Sequence, residues 1–286
     1  MATSNRVVRV AAVSDVHYGK TSHGALQPLF QQITELADVL LIPGDLTDYG
    51  LPEEARLLAR DITAALKIPV IGVLGNHDYE SDRQEEVRQI LTDAGVVMLD
   101  GDSTEVQGIG FAGVKGFAGG FGRGALGAWG EQAIKAFVHE AIEEALKLES
   151  ALARLRTPQR IALIHYAPIR GTVEGEPLEI YPYLGSSRLE EPLTRYSVTA
   201  VFHGHAHGGS PEGRTSAGIP VFNVCHALLK KAYPDRPPFR LFEVPVDAAV
   251  EAPSDGPAER RHRRKDDQRA AGEPTEILPM AAERRT

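Results

Sequence analysis

Residues 198–207 read VTAVFHGHAH, a β-branched apolar run that ends in three histidines within five positions. The run reads as a buried strand. A sheet has no packing use for imidazoles crowded at its end, so some of these histidines are candidate metal ligands. The same punctuation recurs along the chain. VVRVAAVS ends in Asp15-Val-His17, ADVLLIPG in Asp45, PVIGVLG in Asn76-His77-Asp78 and IALI in His165. Ligands of α/β sheets bind beyond the carboxyl ends of the strands. One histidine after a strand is ordinarily just a hydrogen-bonded residue. Five strand ends carrying Asp, His or Asn point instead to one shared centre.

Between the apolar runs lie longer polar–apolar segments. Strands are expected at 7–13, 39–42, 70–74, 96–99, 109–114, 161–164, 198–202, 221–224 and 239–244, and helices at 24–37, 52–67, 81–94 and 130–156. Short buried strands alternating with amphipathic helices imply α/β layering with a strand-rich second half.

Composition narrows the function classes. The chain has 286 residues, 42% hydrophobic, with a net charge of −8. An acidic body lacks the clustered Lys and Arg that nucleic acid requires, so no nucleic-acid partner is expected. No stretch reaches the ~18 apolar residues of a membrane span, and the N-terminus has no secretory-signal pattern. One cysteine, Cys225 in PVFNVC, reads as a buried structural thiol, and the expected location is cytoplasmic. Residues 1–250 are expected to form one domain. In residues 251–286 eight acidic and eight basic side chains cancel, and no apolar period remains, so a disordered charged tail is expected there. The basic run RRHRRK (260–265) reads as solvated.

Neutral imidazole and carboxylate donors suit borderline metals such as Zn, Fe or Mn. Asp15 and His17, two apart, would point the same way from an extended segment. The glycines before Asp45, Asn76 and His205 would let the chain turn sharply into a crowded centre. Seven ligands exceed one tetrahedral ion and suit two that share a carboxylate. Two ions about 3.5–4 Å apart can clamp the attacking and leaving oxygens of a phosphoryl displacement.

Asp15-x-His17, Gly44-Asp45, Gly75-Asn76-His77-Asp78, His165 and Gly204-His205-x-His207 together resemble the motif set of the calcineurin-like metallophosphoesterases. The resemblance implies a four-layer α/β/β/α sandwich of two mixed sheets, with a dinuclear centre at the strand ends. It implies that Asp15, His17 and His207 hold one divalent ion. Asn76, His165 and His205 would hold a second, and Asp45 would bridge them. His203, before the glycine, receives no role from it and reads as structural. His77 would serve as general acid or charge stabiliser, oriented by Asp48, with Asp78 as the local competitor and an ordinary loop role as the alternative for Asp48. Where phosphoprotein phosphatases carry an arginine after the aspartate matching Asp48, this chain has Tyr49. It looks more like the small prokaryotic branch that cleaves nucleotides, cyclic nucleotides and other small phosphomonoesters or phosphodiesters. The alternative is an inactive scaffold of the same fold, which typically loses ligands; here all seven and His77 are present. A nuclease would want a basic groove.

Two glycine- and loop-rich stretches remain. KGFAGGFGRGALGAWG (115–130) holds a literal G-x-G-x-x-G at Gly122, Gly124 and Gly127, but not directly after a strand. A mobile rim loop is the expectation, with Lys115 and Arg123 as phosphate contacts or solvated charges. Residues 166–187 follow His165 and carry Arg170, open to the same two readings.

Overall fold

The structure, a computed structural model, describes residues 5–247. The expected charged tail, with its basic run, lies outside the described residues. Among the described residues there are eleven strands: β1 (Asn5–Ala12), β2 (Val39–Pro43), β3 (Val70–Val73), β4 (Val96–Met98), β5 (Asp102–Val106), β6 (Ile109–Val114), β7 (Gln159–Ile164), β8 (Ala200–His203), β9 (Glu212–Arg214), β10 (Pro220–Asn223) and β11 (Arg240–Asp247). The helices are α1 (Gln27–Leu36), α2 (Pro52–Ala65), α3 (Gln84–Asp93), α4 (Gln132–Arg154), α5 (Tyr181–Leu184), α6 (Glu190–Arg195) and α7 (His226–Ala232). Among the described residues no helix is long and apolar enough to cross a membrane.

The strands form two mixed sheets. One runs β11-β1-β2-β3-β4, parallel except for β11; the other runs β5-β6-β7-β8-β10-β9, parallel except at its two edges. Period-2 alternation explains the layering, because successive side chains leave opposite faces of a strand. On β2, Leu40 and Ile42 pack outward with Phe30, Leu58 and Leu91 of α1–α3, while Val39 and Leu41 pack inward with Phe111, Leu163 and Phe202 of the other sheet. The outer face of the second sheet, through Val114, Ala162, Ile164 and Val201, packs on Leu148, Ala151 and Leu152 of α4. The result is helix, sheet, sheet, helix, as the family resemblance implied.

Local chemistry sets the loops that matter. Pro52 opens α2 at a position where its missing N–H is harmless, and Glu54 accepts the Tyr49 amide at 2.9 Å. The turn carrying Asp45 to Gly50 is thereby tied to the helix that follows it. The hairpin β5–β6 turns on Gln107 and Gly108, both with positive φ (57° and 84°), which matches the twist of the flanking strands.

Candidate metal centre

The carboxyl ends of β1, β2 and β3 in one sheet and of β7 and β8 in the other converge, and all seven expected ligands meet there. Among the described residues donor atoms gather within 4.8 Å in a rim set of His17, Asp48 and His77 and in two central groups: Asp15, His17, Asp45 and His207, and Asp45, His165 and His205. Asp45 belongs to both. Its Oδ2 lies 3.8 Å from His17 Nε2 and its Oδ1 3.3 Å from His165 Nε2, while Oδ1 accepts the His77 amide at 2.9 Å. Asn76 joins the second group, with Oδ1 2.9 Å from His165 Nε2.

Hydrogen bonds fix which ring nitrogen His165 and His205 turn inward. His165 Nδ1–H donates to the Pro43 carbonyl (3.0 Å), leaving Nε2 for the centre. His205 is reversed: Nε2–H donates to the Tyr183 carbonyl (3.1 Å), leaving Nδ1. His207 Nε2 lies 3.0 Å from Asp15 Oδ1 and 3.4 Å from His17 Nε2. Lone pairs therefore face one another across the centre. Asn76 Oδ1 against His165 Nε2, with Asp45 Oδ1 beside them, is repulsive unless a cation or a proton stands between. Burial opposes charge on His165, yet Asp45 and Asp15 raise its pKa to about 9. The Asp15 hydrogen bond and Cys225 raise His207 to about 11. Protons are drawn to the places a divalent ion would take. This donor set of imidazoles, carboxylates and one amide oxygen fits borderline divalent metals.

The backbone departs from the sequence expectation. Asp15 and His17 do not lie on an extended segment, for their φ values are 55° and 40°. Asp45 (48°) and His205 (68°) share that left-handed region. Such a conformation costs about 1–3 kcal/mol per residue and persists only where the surroundings over-determine it. Here β1–β2 pairing continues past the strand ends, with Asp15 N–H to Gly44 O (3.1 Å) and His17 N–H to Asp45 O (3.1 Å). The glycines also act differently. Gly44 does turn (φ 86°), but Gly75 and Gly204 lack positive φ and are required by close approach. A Cβ at Gly75 would strike Asp45 and His165, and one at Gly204 would strike Asp15 and Ser14.

His77 sits beside this cluster, its ring 4.4 Å from that of His17. Its orienting acceptor is the Asp48 main-chain carbonyl, 2.7 Å from Nδ1. The Asp48 carboxylate lies 3.7 Å from His17 Nδ1 instead, so the expected carboxylate–His77 pair is corrected to a carbonyl–His77 pair. Among the described residues His17 Nδ1 has no hydrogen-bond partner. Nor does Asp78 reach His77. It is buried and accepts from Leu46 N, Thr47 N, Thr47 Oγ1 and Gly75 N, pinning the loops of Asp45 and Asn76 together.

Lys115 is not a rim contact. It is buried, its Nζ donates to the Gly116 carbonyl (2.7 Å) and lies 4.8, 5.5 and 5.6 Å from the Phe117, Tyr166 and Tyr79 rings. Arg123 and Arg170 are exposed. The glycine-rich stretch is stitched to residues 182–187 by Gly119 N–H to Pro182 O (2.7 Å), Gly120 N–H to Gly185 O (2.8 Å) and Ser187 N–H to Gly120 O (3.1 Å). Its G-x-G-x-x-G forms only a 3-10 turn over Gly122–Gly124 and opens no α-helix, since α4 begins at Gln132. Cys225 is buried, with its thiol against His207. Residues that sequence reasoning missed are Tyr183, whose carbonyl holds His205, and Glu176, whose carboxylate accepts the Gly208 amide. Neither position carries a motif.

The family model described as calcineurin-like phosphoesterase matches residues 8–209. No curated protein sequence matches. Among solved structures, the phosphopantetheinyl hydrolase PptH from Mycobacterium tuberculosis is similar with TM-score 0.59 and 16% identity, over 87% of this chain and 98% of that one. TT1561 of Thermus thermophilus aligns with TM-score 0.48 and 15% identity, over 84% of this chain and 99% of that one. At 16% identity the likeness to PptH is one of fold.

Proposed function

Because the chain belongs to the calcineurin-like phosphoesterase family, and is thus a metal-dependent hydrolase of phosphoester bonds, we propose that it cleaves small phosphomonoesters or phosphodiesters of nucleotide or cyclic-nucleotide type at a two-ion centre. Asp15, His17 and His207 hold one ion, Asn76, His165 and His205 the other, and Asp45 bridges them. The observation that carries this reading is Asp45, whose two oxygens face two separate sets of converging lone pairs. Mn, Fe or Zn ions bound there supply Lewis acidity to the phosphoryl oxygens and to the attacking water.

The chain's own groups do the rest. His77, anchored through Nδ1–H on the Asp48 carbonyl, keeps Nε2 for the substrate. In its protonated form it donates to the leaving oxygen, or stabilises charge on the phosphoryl group. Asp78 keeps the loops of Asp45 and Asn76 in register without touching substrate. In this reading residues 1–250 are the catalytic unit.

The test is a matched panel: an aryl phosphomonoester, a phosphodiester, a cyclic nucleotide, a nucleoside 5′-phosphate and, because PptH shares the fold, a phosphopantetheinyl ester. Each is assayed with Mn²⁺, Fe²⁺, Zn²⁺ and Ca²⁺. Turnover of a nucleotide-type ester well above the others supports the substrate class. Preference for the phosphopantetheinyl ester replaces it, and no metal-dependent turnover of any member sinks it.

A further inference from the structure

His203 is the histidine of the 203–207 cluster left without a role. It is fully buried on β8 and belongs to none of the metal-type donor groups among the described residues. Its Nδ1–H donates to the carbonyl of Gly204 (2.9 Å), and its Nε2 accepts from the Thr172 hydroxyl (2.8 Å). Asn223 pairs with His203 across β8 and β10. Its Nδ2 donates to the carbonyls of Ala206 (2.7 Å) and Thr172 (3.4 Å), while its Oδ1 accepts the Cys225 amide (3.2 Å). The Thr172 carbonyl also accepts the Ser210 amide at 3.1 Å.

The carbonyls on either side of His205 are therefore each gripped by a buried side chain, and both side chains are tied to Thr172. Asp15 takes the His205 amide from the opposite side, at 2.9 Å. What is held in this way is a residue with φ 68°. A left-handed histidine relaxes unless neighbouring bonds hold it. Relaxation would swing its imidazole out of line with His165 and Asn76. Three fully buried polar side chains cost desolvation unless satisfied, and the clasp satisfies them on the ligand loop.

We propose that His203, Thr172 and Asn223 are positioning residues, a buried clasp that holds His205 in the conformation in which its Nδ1 meets the second ion. This rests on the reading of His205 as a ligand of that ion. The clasp acts on metal affinity before it acts on turnover, so it is read without substrate.

The experiment is calorimetric titration of Mn²⁺ into the metal-stripped full chain, with melting temperature in parallel. Asn223→Asp keeps the side-chain shape and the acceptor for Cys225 but turns an oxygen toward the Ala206 and Thr172 carbonyls. Thr172→Val keeps volume and loses the hydroxyl, whereas Thr172→Ser retains it. Asn223→Asp and Thr172→Val are expected to weaken one of two Mn²⁺ sites by roughly 10–100-fold, the usual loss for a ligand's supporting partner. Thr172→Ser should stay close to wild type. A merely structural role lowers melting temperature and leaves both affinities intact, and that result overturns the clasp. Should Asn223→Asp fail to fold, the Val/Ser pair at 172 decides alone. A wild-type chain that binds no Mn²⁺ sinks the metal-centre reading, and the clasp with it, before any variant is measured. Two-ion binding that no variant weakens sinks only the clasp.

Discussion

The two halves of the proposed centre share Asp45 but are built differently. In the second half, His165 is fully buried, and the outward nitrogens of His165 and His205 each donate to a main-chain carbonyl. In the first half, the His207 side chain is 45% exposed and the outward nitrogen of His17 has no hydrogen-bond partner among the described residues. Preorganisation thus follows from where each half stands in the fold. The second half stands between the ends of β3, β7 and β8, where Gly44 and Gly75 let the two sheets close on His165. The first half has a buried Asp15 but hangs its histidines on the turn after β1 and, at His207, on the exposed far side of the loop that also carries His205. A ligand already held in place loses less freedom when an ion arrives, so the second half should bind more tightly.

The largest effect should come from removing what both halves share. Chelation should abolish hydrolysis, and Mn²⁺ should restore it better than Ca²⁺, which prefers oxygen-only donors. Asp45→Asn should lower metal content and activity together, measured by elemental analysis beside turnover. A variant that stays fully loaded and active would remove Asp45 from the bridge.

Next in size is His77→Ala, which spares both halves. Metal content should hold while turnover falls by roughly 10²–10⁴-fold, less for an aryl phosphate than for an alkyl ester with a poor leaving group. Equal slowing of the two substrates, with metals retained, would favour charge stabilisation over proton donation.

Titrating the loaded wild-type chain with a chelator ranks the two halves directly. One ion should leave at about 10-fold lower chelator than the other. Prior loss of the His17 ligand, in His17→Ala, should remove that weaker step and leave the stronger. If His165→Ala removes the weaker step instead, the ranking of the halves is reversed.

Lys115→Met should lower stability by about 1–2 kcal/mol, through loss of a cation held by three aromatic rings, and leave KM nearly unchanged. A clear rise in KM would return Lys115 to the substrate. The smallest effect is expected of Asp48→Asn, because the carbonyl that orients His77 survives the substitution. A loss matching His77→Ala would restore the carboxylate as the orienting group.

The layered α/β plan and the convergence of the donor residues are legible in the residues alone. Buried strands announce themselves as apolar runs, and each of five ended in a donor residue that packing does not explain. No such signal marks β5 and β9, short polar edge strands that exist through the partner they pair with. Nor does one mark α5 to α7, four to seven residues long, whose summed propensity is too small to read. The burial of Lys115 needed the folded chain, because its cage is drawn from residues 79, 117 and 166. So did the left-handed turns through which Asp15 and His17 leave β1. The orientation of the histidines belongs to the fold as well. Pro43, Asp48 and Tyr183 act through main-chain carbonyls, a group every residue carries, so no side-chain pattern in a sequence can mark them.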